Sequence, residues 1–217
     1  MEITIRNEVE KDYREVENLT REAFWNHYVP GCDEHYLAHI LRESPAFVKE
    51  LDFVAICDDT IVGNIMYTKA HILGDDNVKY PVLSFGPLSI LPQYQGKGIG
   101  AKLIEHTKKI AKDSGYNAII IYGDPEYYKR VGFVCAETFS IATSWNTYAA
   151  PLLACELTNG SLNGISGRFF EDEVYEVDME KAEAFDKAFT PKEKLSGFPS
   201  QKRFTELLVM NRPREKK

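Results

Sequence analysis

Three glycines in five residues, Gly96-Lys97-Gly98-Ile99-Gly100, stand between two segments of different periodicity, and no other stretch restricts this chain's fold as much. Ahead of them, residues 82–90 (VLSFGPLSI) form an apolar run that reads as a buried strand. The run carries Gly86-Pro87, which removes a backbone donor and packs little, and so marks a bulge or splay point. Beyond the glycines, Ala101, Leu103, Ile104, Thr107, Ile110 and Ala111 recur at helical spacing, so a helix starts inside the turn. Strand, glycine turn and helix N-terminus together suit a phosphate. The first helical N–H groups lack intrahelical acceptors, the dipole favours an anion, and glycine lets backbone approach the ligand closely.

Three ligand readings compete for the turn. A Walker-type loop needs Gly-Lys-Ser/Thr, and Ile99 after Gly98 excludes it. The dinucleotide fingerprint G-x-G-x-x-G/A is met by residues 96–101, and Asp124 lies where a ribose-binding acid would stand. That fingerprint needs its strand to run straight into the first glycine, however, and residues 91–95 intervene. The third reading is Gln-x-x-Gly-x-Gly over residues 95–100, preceded by a splayed strand. A helix-initiating turn without ligand is the plain alternative. Glycines cost backbone entropy and pack nothing, which weighs against it.

The rest of the chain bounds the setting. At 217 residues, 44% apolar and 27% charged, it is globular in composition and long enough for one sizeable domain with an extension. The first residues lack the basic and apolar regions of a signal peptide, and no apolar run reaches membrane-spanning length. Cys32, Cys57, Cys135 and Cys155 are scattered, as reduced thiols of a cytoplasmic protein would be. A net charge of −7 argues against nucleic acid and suits a cationic small molecule.

In chain order, residues 3–6 alternate like a strand, and Asn7 with Glu10 forms a candidate capping box for a helix to about Phe24. Asp33 is a candidate cap for a second helix, stopped by Ser44-Pro45. Residues 53–57 and 61–72 read as a hairpin about Asp58-Asp59-Thr60. Gly115 ends the glycine-turn helix, and residues 118–122 make a short apolar strand. Asp124-Pro125 then opens a helical turn. Two strand-like stretches follow, at 139–144 and 152–157. Residues 1–158 are expected to form one domain. Residues 159–217 are expected to be an extension packed on it, with helices over 179–189 and 200–210 and a frayed end at 212–217. Phe169, Phe170, Phe185, Phe189, Phe198 and Phe204 give the extension apolar surface to bury.

Two blocks carry a family resemblance: GPLSILPQYQGKGIG, residues 86–100, and GDPEYYKRVGF, residues 123–133. Together they resemble the acyl-CoA-binding motif and the Tyr-x-x-x-Gly-Phe signature of the GNAT superfamily of N-acetyltransferases, over about residues 3–157. The resemblance implies an α/β (α+β) fold: a mixed, mostly antiparallel central sheet splayed at its middle strands, with helices on both faces. It also implies acetyl-group transfer from acetyl-CoA to a primary amine of a small molecule or peptide, by direct attack in a ternary complex. No metal, nucleic acid or membrane is implied.

The resemblance also distributes roles. The pantetheine arm would pair with backbone of Leu88, Ser89 and Ile90, and the pyrophosphate would lie on the N–H groups of Gln95, Gly96, Lys97, Gly98, Ile99, Gly100 and Ala101. Lys97, Lys102 and Lys129 are candidates for outer phosphate contacts, though each suits a solvated surface equally. Asp124 and Tyr127 would flank the cosubstrate. The Leu88 N–H would hold the tetrahedral oxyanion, and the Tyr128 hydroxyl would protonate the departing thiolate. Trp25, Tyr28, Tyr36 and Ser84 are expected at the acceptor end. Many relatives carry a glutamate base on the splayed strand, where this chain has Ser84 and Gly86. Glu22, His27, Glu34 or a chain of waters are the substitutes. Cys32, His35 and His39 have ligand-like spacing without a fourth partner. Two other readings stay open: a catalytically silent acyl-CoA-binding module, and a nucleotide-dependent oxidoreductase.

Overall fold

The computed structural model describes residues 1–215. In chain order the strands and α-helices are β1 (Thr4–Asn7), α1 (Tyr13–Phe24), α2 (Glu34–Leu41), β2 (Phe53–Cys57), β3 (Thr60–Gly74), β4 (Lys79–Ile90), α3 (Ile99–Asp113) and β5 (Ala118–Tyr122). They continue with α4 (Pro125–Tyr128), β6 (Val134–Cys135), β7 (Ile141–Ala142), β8 (Thr147–Ala149), β9 (Leu152–Glu156), β10 (Gly167–Phe170), α5 (Met179–Asp186), α6 (Pro199–Val209) and β11 (Asn211–Pro213). Most strand pairs are antiparallel, as the expected α/β sheet requires. Two compact units divide the chain, and β3, β4 and α3 contribute residues to both.

The first unit comprises Met1–Tyr67, Gly86–Thr107 and Glu173–Phe204. Here β1 pairs with β2, from Thr4 opposite Ile56 to Asn7 opposite Phe53, and β2 forms a hairpin with β3. Asp58 and Asp59 take φ of 47° and 60° at the tip, the left-handed pair that lets a two-residue turn follow strand twist. Helix α1 buries Val16 and Leu19 on Val54 and Ile61, and α2 packs Leu37, Ala38 and Leu41 around Met66 with Val174, Tyr175 and Val177. The expected Asn7 cap is not used. Asn7 ends β1, and its amide donates to the Asp52 carbonyl at 3.1 Å. A 3-10 turn, Glu10–Asp12, leads into α1 instead, with the Asp12 carboxylate accepting from the Val9 N–H.

The second unit comprises Thr68–Phe85, Lys108–Asp172 and the chain from Thr205 on. Its strands run β3-β4-β5-β9-β6, with β10 on the β3 edge and β7 beside β10. Parallel strands need a long crossover, which α3 supplies between β4 and β5. Their pairing is confined to Leu83 opposite Ile119, whereas β5 pairs with β9 along its whole length. Ala70, Ile72, Val82, Ala118, Ile120, Leu152, Ala154 and Phe169 close one apolar core. The strand-like stretch expected at 139–144 shrinks to Ile141–Ala142, because a 3-10 turn occupies Ala136–Phe139.

The tail departs from its sequence reading in two places. Residues 167–170 form β10, antiparallel to β3 with Phe169 opposite Ile72, where the turn-rich sequence suggested no strand. The end expected to fray pairs as β11 with β8, and the buried Arg214 makes a two-pronged ion pair with the exposed Asp75. Lys216 and Lys217, part of that expectation, lie outside the described residues.

Candidate active site

The glycine turn belongs to the first unit, and its geometry follows from Gln95. The Gln95 N–H donates to the Pro92 carbonyl at 3.2 Å, and its side-chain amide donates to the Ile90 carbonyl at 3.0 Å. Gln95 thus ties the turn to the end of β4. Gly96 and Gly98 have φ of 72° and 79°, where any side chain would be strained, and a Cβ at either position would meet nothing within 4 Å. Ile99 anchors the helix start at 1% exposure. The first helical bond runs from the Lys102 N–H to the Gly98 carbonyl at 3.0 Å, so Ile99, Gly100 and Ala101 have no intrahelical acceptor. Lys97 is exposed, with its Nζ 5.0 Å from the centre of the Tyr94 ring.

Upstream on β4, Leu88 and Ile90 are half-buried, and Ser89 is buried with its hydroxyl 2.9 Å from that of Thr20 on α1. The Tyr175 hydroxyl donates to the Gly86 carbonyl at 3.3 Å, so the tail reaches β4 inside this unit.

The aromatic residues expected at the acceptor end all meet the tail too. The Trp25 indole N–H donates to the Glu193 carbonyl at 2.9 Å, Tyr28 lies 5.0 Å from Phe204, and Tyr36 lies 5.4 Å from Phe185, the last two measured between ring centres. Trp25 lines a cavity of about 260 Å³ with Cys32, Asp33, Asp186 and Lys194. Beside it, Arg21 grips Asp186 with two donors at 2.6 and 3.2 Å, and His35 Nε2 stands 3.1 Å from the same carboxylate. Burial holds His35 down at a pKa of about 4, so it is neutral near pH 7. His39, spaced like a ligand partner, instead meets Glu17 at 2.9 Å.

Of the acids and bases considered for the amine, Glu22 pairs with Lys192 at 2.8 Å. His27 is shifted down by burial, and Glu34 is pushed up to about 8 by burial and by neighbouring Asp33.

The second unit holds Asp124, Tyr127, Tyr128 and Ser84. Asp124 caps α4, its carboxylate accepting from the Glu126 N–H at 2.9 Å. The Tyr128 ring lies across Gly123: a Cβ there would come 2.3 Å from the ring, so only glycine fits. Phe85 and Phe133 hold that ring from 5.9 and 5.7 Å. Tyr127 is 41% exposed, its hydroxyl pKa raised by partial burial against the pull of Arg130. Lys129 pairs with Glu126, and Ser84 is buried within β4.

One acid in this unit escaped the sequence reading. Glu171 follows β10 directly and is half-buried, and no hydrogen bond or ion pair among the described residues involves its side chain. Burial pushes its carboxyl up to about 7. Tyr122, at the end of β5, feels its charge: burial first and Glu171 second raise the Tyr122 hydroxyl. Glu171 opens the acidic run Glu171-Asp172-Glu173 and is not singled out locally, since only the pairing of β10 with β3 brings it to Tyr122.

Residues 49–135 match the model of the acetyltransferase (GNAT) domain. The uncharacterized N-acetyltransferase YhbS of Escherichia coli K12 is 26% identical over 164 residues, 75% of this chain and 92% of its own. A second uncharacterized N-acetyltransferase of the same strain, YjhQ, is 32% identical over 94 residues, 43% of this chain and 51% of its own. Among solved structures, that of E. coli YhbS in complex with CoA superposes with a TM-score of 0.71 at 24% identity, covering 81% of this chain and 92% of that one. A GNAT family acetyltransferase from Brucella melitensis in complex with acetyl-CoA gives 0.63 at 24% identity, covering 80% and 98%.

Proposed function

We infer that this chain, which belongs to the GNAT superfamily of N-acetyltransferases, moves an acetyl group from acetyl-CoA to a primary amine by direct attack in a ternary complex. The observation that carries this reading is the turn itself. Gly96 and Gly98 sit at positive φ with open space above them, ahead of a helix whose first N–H groups are unpaired. That arrangement suits a pyrophosphate, and the complexes of the two solved relatives with CoA and acetyl-CoA support naming it.

In this reading residues 1–158 form the acetyltransferase domain and residues 159–217 extend it. Gly96, Lys97, Gly98, Ile99, Gly100 and Ala101 hold the pyrophosphate, with Gln95 fixing the turn and Asp124 and Tyr127 beside the cosubstrate. Backbone of Leu88, Ser89 and Ile90 takes the pantetheine amides, and the Leu88 N–H stabilises the oxyanion. The acceptor nitrogen attacks the thioester carbonyl, the C–S bond breaks, and Tyr128 gives its proton to the sulfur. The Tyr128 ring is held by Gly123, Phe85 and Phe133, so its hydroxyl needs little reorganisation. Trp25, Tyr28, Tyr36 and Ser84 are assigned to the acceptor end.

The test is calorimetric titration with coenzyme A, followed by thiol release from acetyl-CoA across amines, amino acids, polyamines and aminoglycosides. Parent protein binds and releases thiol with at least one acceptor class. Gly98→Val, which strains the turn and fills the anion's space, lowers coenzyme A affinity by roughly 10²-fold or more while the protein stays folded. Unchanged affinity in that variant would remove the phosphate-cradle argument. Binding without turnover would leave a silent acyl-CoA-binding module.

A further inference from the structure

Within the first unit, the part of β4 assigned to the cosubstrate is met by a side chain from the extension. The Tyr175 hydroxyl donates to the Gly86 carbonyl at 3.3 Å, from 89 residues further along the chain. The ring lies over the same residue: a Cβ on Gly86 would come 3.7 Å from Tyr175 and meet nothing else within 4 Å. Gly86 is not at positive φ, so its backbone would admit a side chain. The space beside it is instead filled from outside the strand, by an aromatic ring that ends in a hydroxyl.

Two features fix that hydroxyl near the proposed chemistry. Leu88 stands two residues beyond Gly86, about 7 Å along an extended strand. Both are half-buried, whereas Ser89 is buried and turned to Thr20 of α1. Tyr175 itself closes a 3-10 turn, Glu173–Tyr175, and packs with Val174 and Val177 on Leu37 and Leu41 of α2 and Met66 of β3. A ring held between α2 and β4 has little freedom left to lose when a substrate arrives.

We propose that Tyr175 is an acceptor-binding residue of the transferase: its phenol oxygen accepts a hydrogen bond from the amine nitrogen, sets that nitrogen beside the thioester carbonyl, and selects primary over secondary amines. This rests on the acetyltransferase reading above. A phenol that donates to one partner can accept from another, so the bond to Gly86 aims the oxygen and does not use it up. The ammonium first gives one proton to solvent. The neutral nitrogen of a primary amine keeps two: one rests on Tyr175 and becomes the amide N–H, and the other leaves to solvent as the C–N bond forms. The C–S bond breaks, Tyr128 protonates the sulfur, and solvent reprotonates Tyr128. The balance is amine plus acetyl-CoA to amide plus coenzyme A, and Tyr175 neither gains nor loses a proton. A secondary amine has a single N–H at that stage, and the reaction must remove it. It therefore cannot keep the bond to Tyr175 through to product. The extension thereby contributes a residue to the active site.

The experiment compares parent with Tyr175→Phe, which keeps the ring and its packing. It measures kcat/KM at saturating acetyl-CoA for phenethylamine, spermidine, lysine and kanamycin, and for the mono-N-methylated form of whichever is used best. Coenzyme A affinity and thermal unfolding are the controls. Tyr175→Phe loses roughly 10-fold in kcat/KM for the primary amine, the worth of one neutral hydrogen bond, and changes by less than about twofold for the methylated one. The preference for the primary amine narrows accordingly, with coenzyme A affinity unchanged; a purely structural tyrosine would not alter that ratio. Where the methylated amine is too slow to measure, the loss with the primary amine decides. Parent-like kcat/KM in Tyr175→Phe, equal losses for both amines, a matching loss of coenzyme A affinity, or unfolding at the assay temperature each overturn the proposal and leave the acetyltransferase reading intact. No thiol release by the parent with any of the four amines counts against that reading, and this proposal falls with it.

Discussion

Asp52 and Glu171 are both acids shifted upward by burial, and their surroundings could hardly differ more. Asp52 is 3% exposed beside Glu8, which is 5% exposed. Burial, then the hydrogen bond and charge of Glu8, raise Asp52 far above the carboxylate range. Both carboxyls have further side-chain partners. Asn64 donates to Asp52 at 3.1 Å, Arg42 holds Glu8 with donors at 2.7 and 3.1 Å and reaches Glu17 at 3.4 Å, and the Arg42 guanidinium lies 4.1 Å from the centre of the Tyr13 ring. This is a joint between β1, β2 and α2. Glu171 has burial without a hydrogen bond or ion pair among the described residues. A shifted acid alone therefore does not mark chemistry, since structural joints shift acids too.

The contrast breaks hardest at Arg42. Arg42→Ala strands Glu8 as a buried, unpaired charge, and costs about 3–5 kcal/mol in urea unfolding. The pH profile of turnover should keep its shape in this variant; if it moves, the joint is not separate from the chemistry. Glu171→Gln acts in the opposite direction. A folded pKa of about 7, above the unfolded value near 4.3, means the fold favours the protonated acid. Stability from that proton is fully present below the unfolded pKa and is lost as pH rises through about 7. Parent and Glu171→Gln should therefore match near pH 4. By pH 8 the variant should be more stable by roughly 1–2 kcal/mol, after discounting for solvent screening at a half-buried group. Equal stability at both pH values would show that Glu171 is not shifted. The smallest effect belongs to Asp52→Asn. Its amide can donate to Glu8 and its oxygen can accept from Asn64, so unfolding at pH 7 should change by no more than about 0.5 kcal/mol. A large loss would mean that Asp52 is ionised and paired with Arg42.

What could be read from the sequence follows the same divide between local and distant causes. The glycine turn, α3, the hairpin at Asp58-Asp59 and the Asp124 cap depend on residues within a few positions of one another, and sequence shows them directly. Asn7 had the local signal of a helix cap, but pairing with Phe53 claimed its backbone for β1. Residues 167–170 had no strand signal, since a four-residue strand is defined by the open β3 edge it meets. Arg214 looked like part of a charged tail until Asp75 gave it a partner. The glycine turn and its helix were thus legible, whereas the placement of residues 167–171 needed a strand partner far upstream.

That late strand bears on how the chain can be made. The β3 edge at His71–Gly74 is closed only by residues 167–170, and Gly167 approaches so closely that a Cβ would lie 2.3 Å from the Leu73 carbonyl oxygen. A nascent chain emerging from the ribosome therefore carries an unfilled edge through most of its synthesis, the condition under which strands recruit the wrong partner. Closure has high contact order and comes late. A chain that stopped short of β10 would therefore keep an open strand edge on β3.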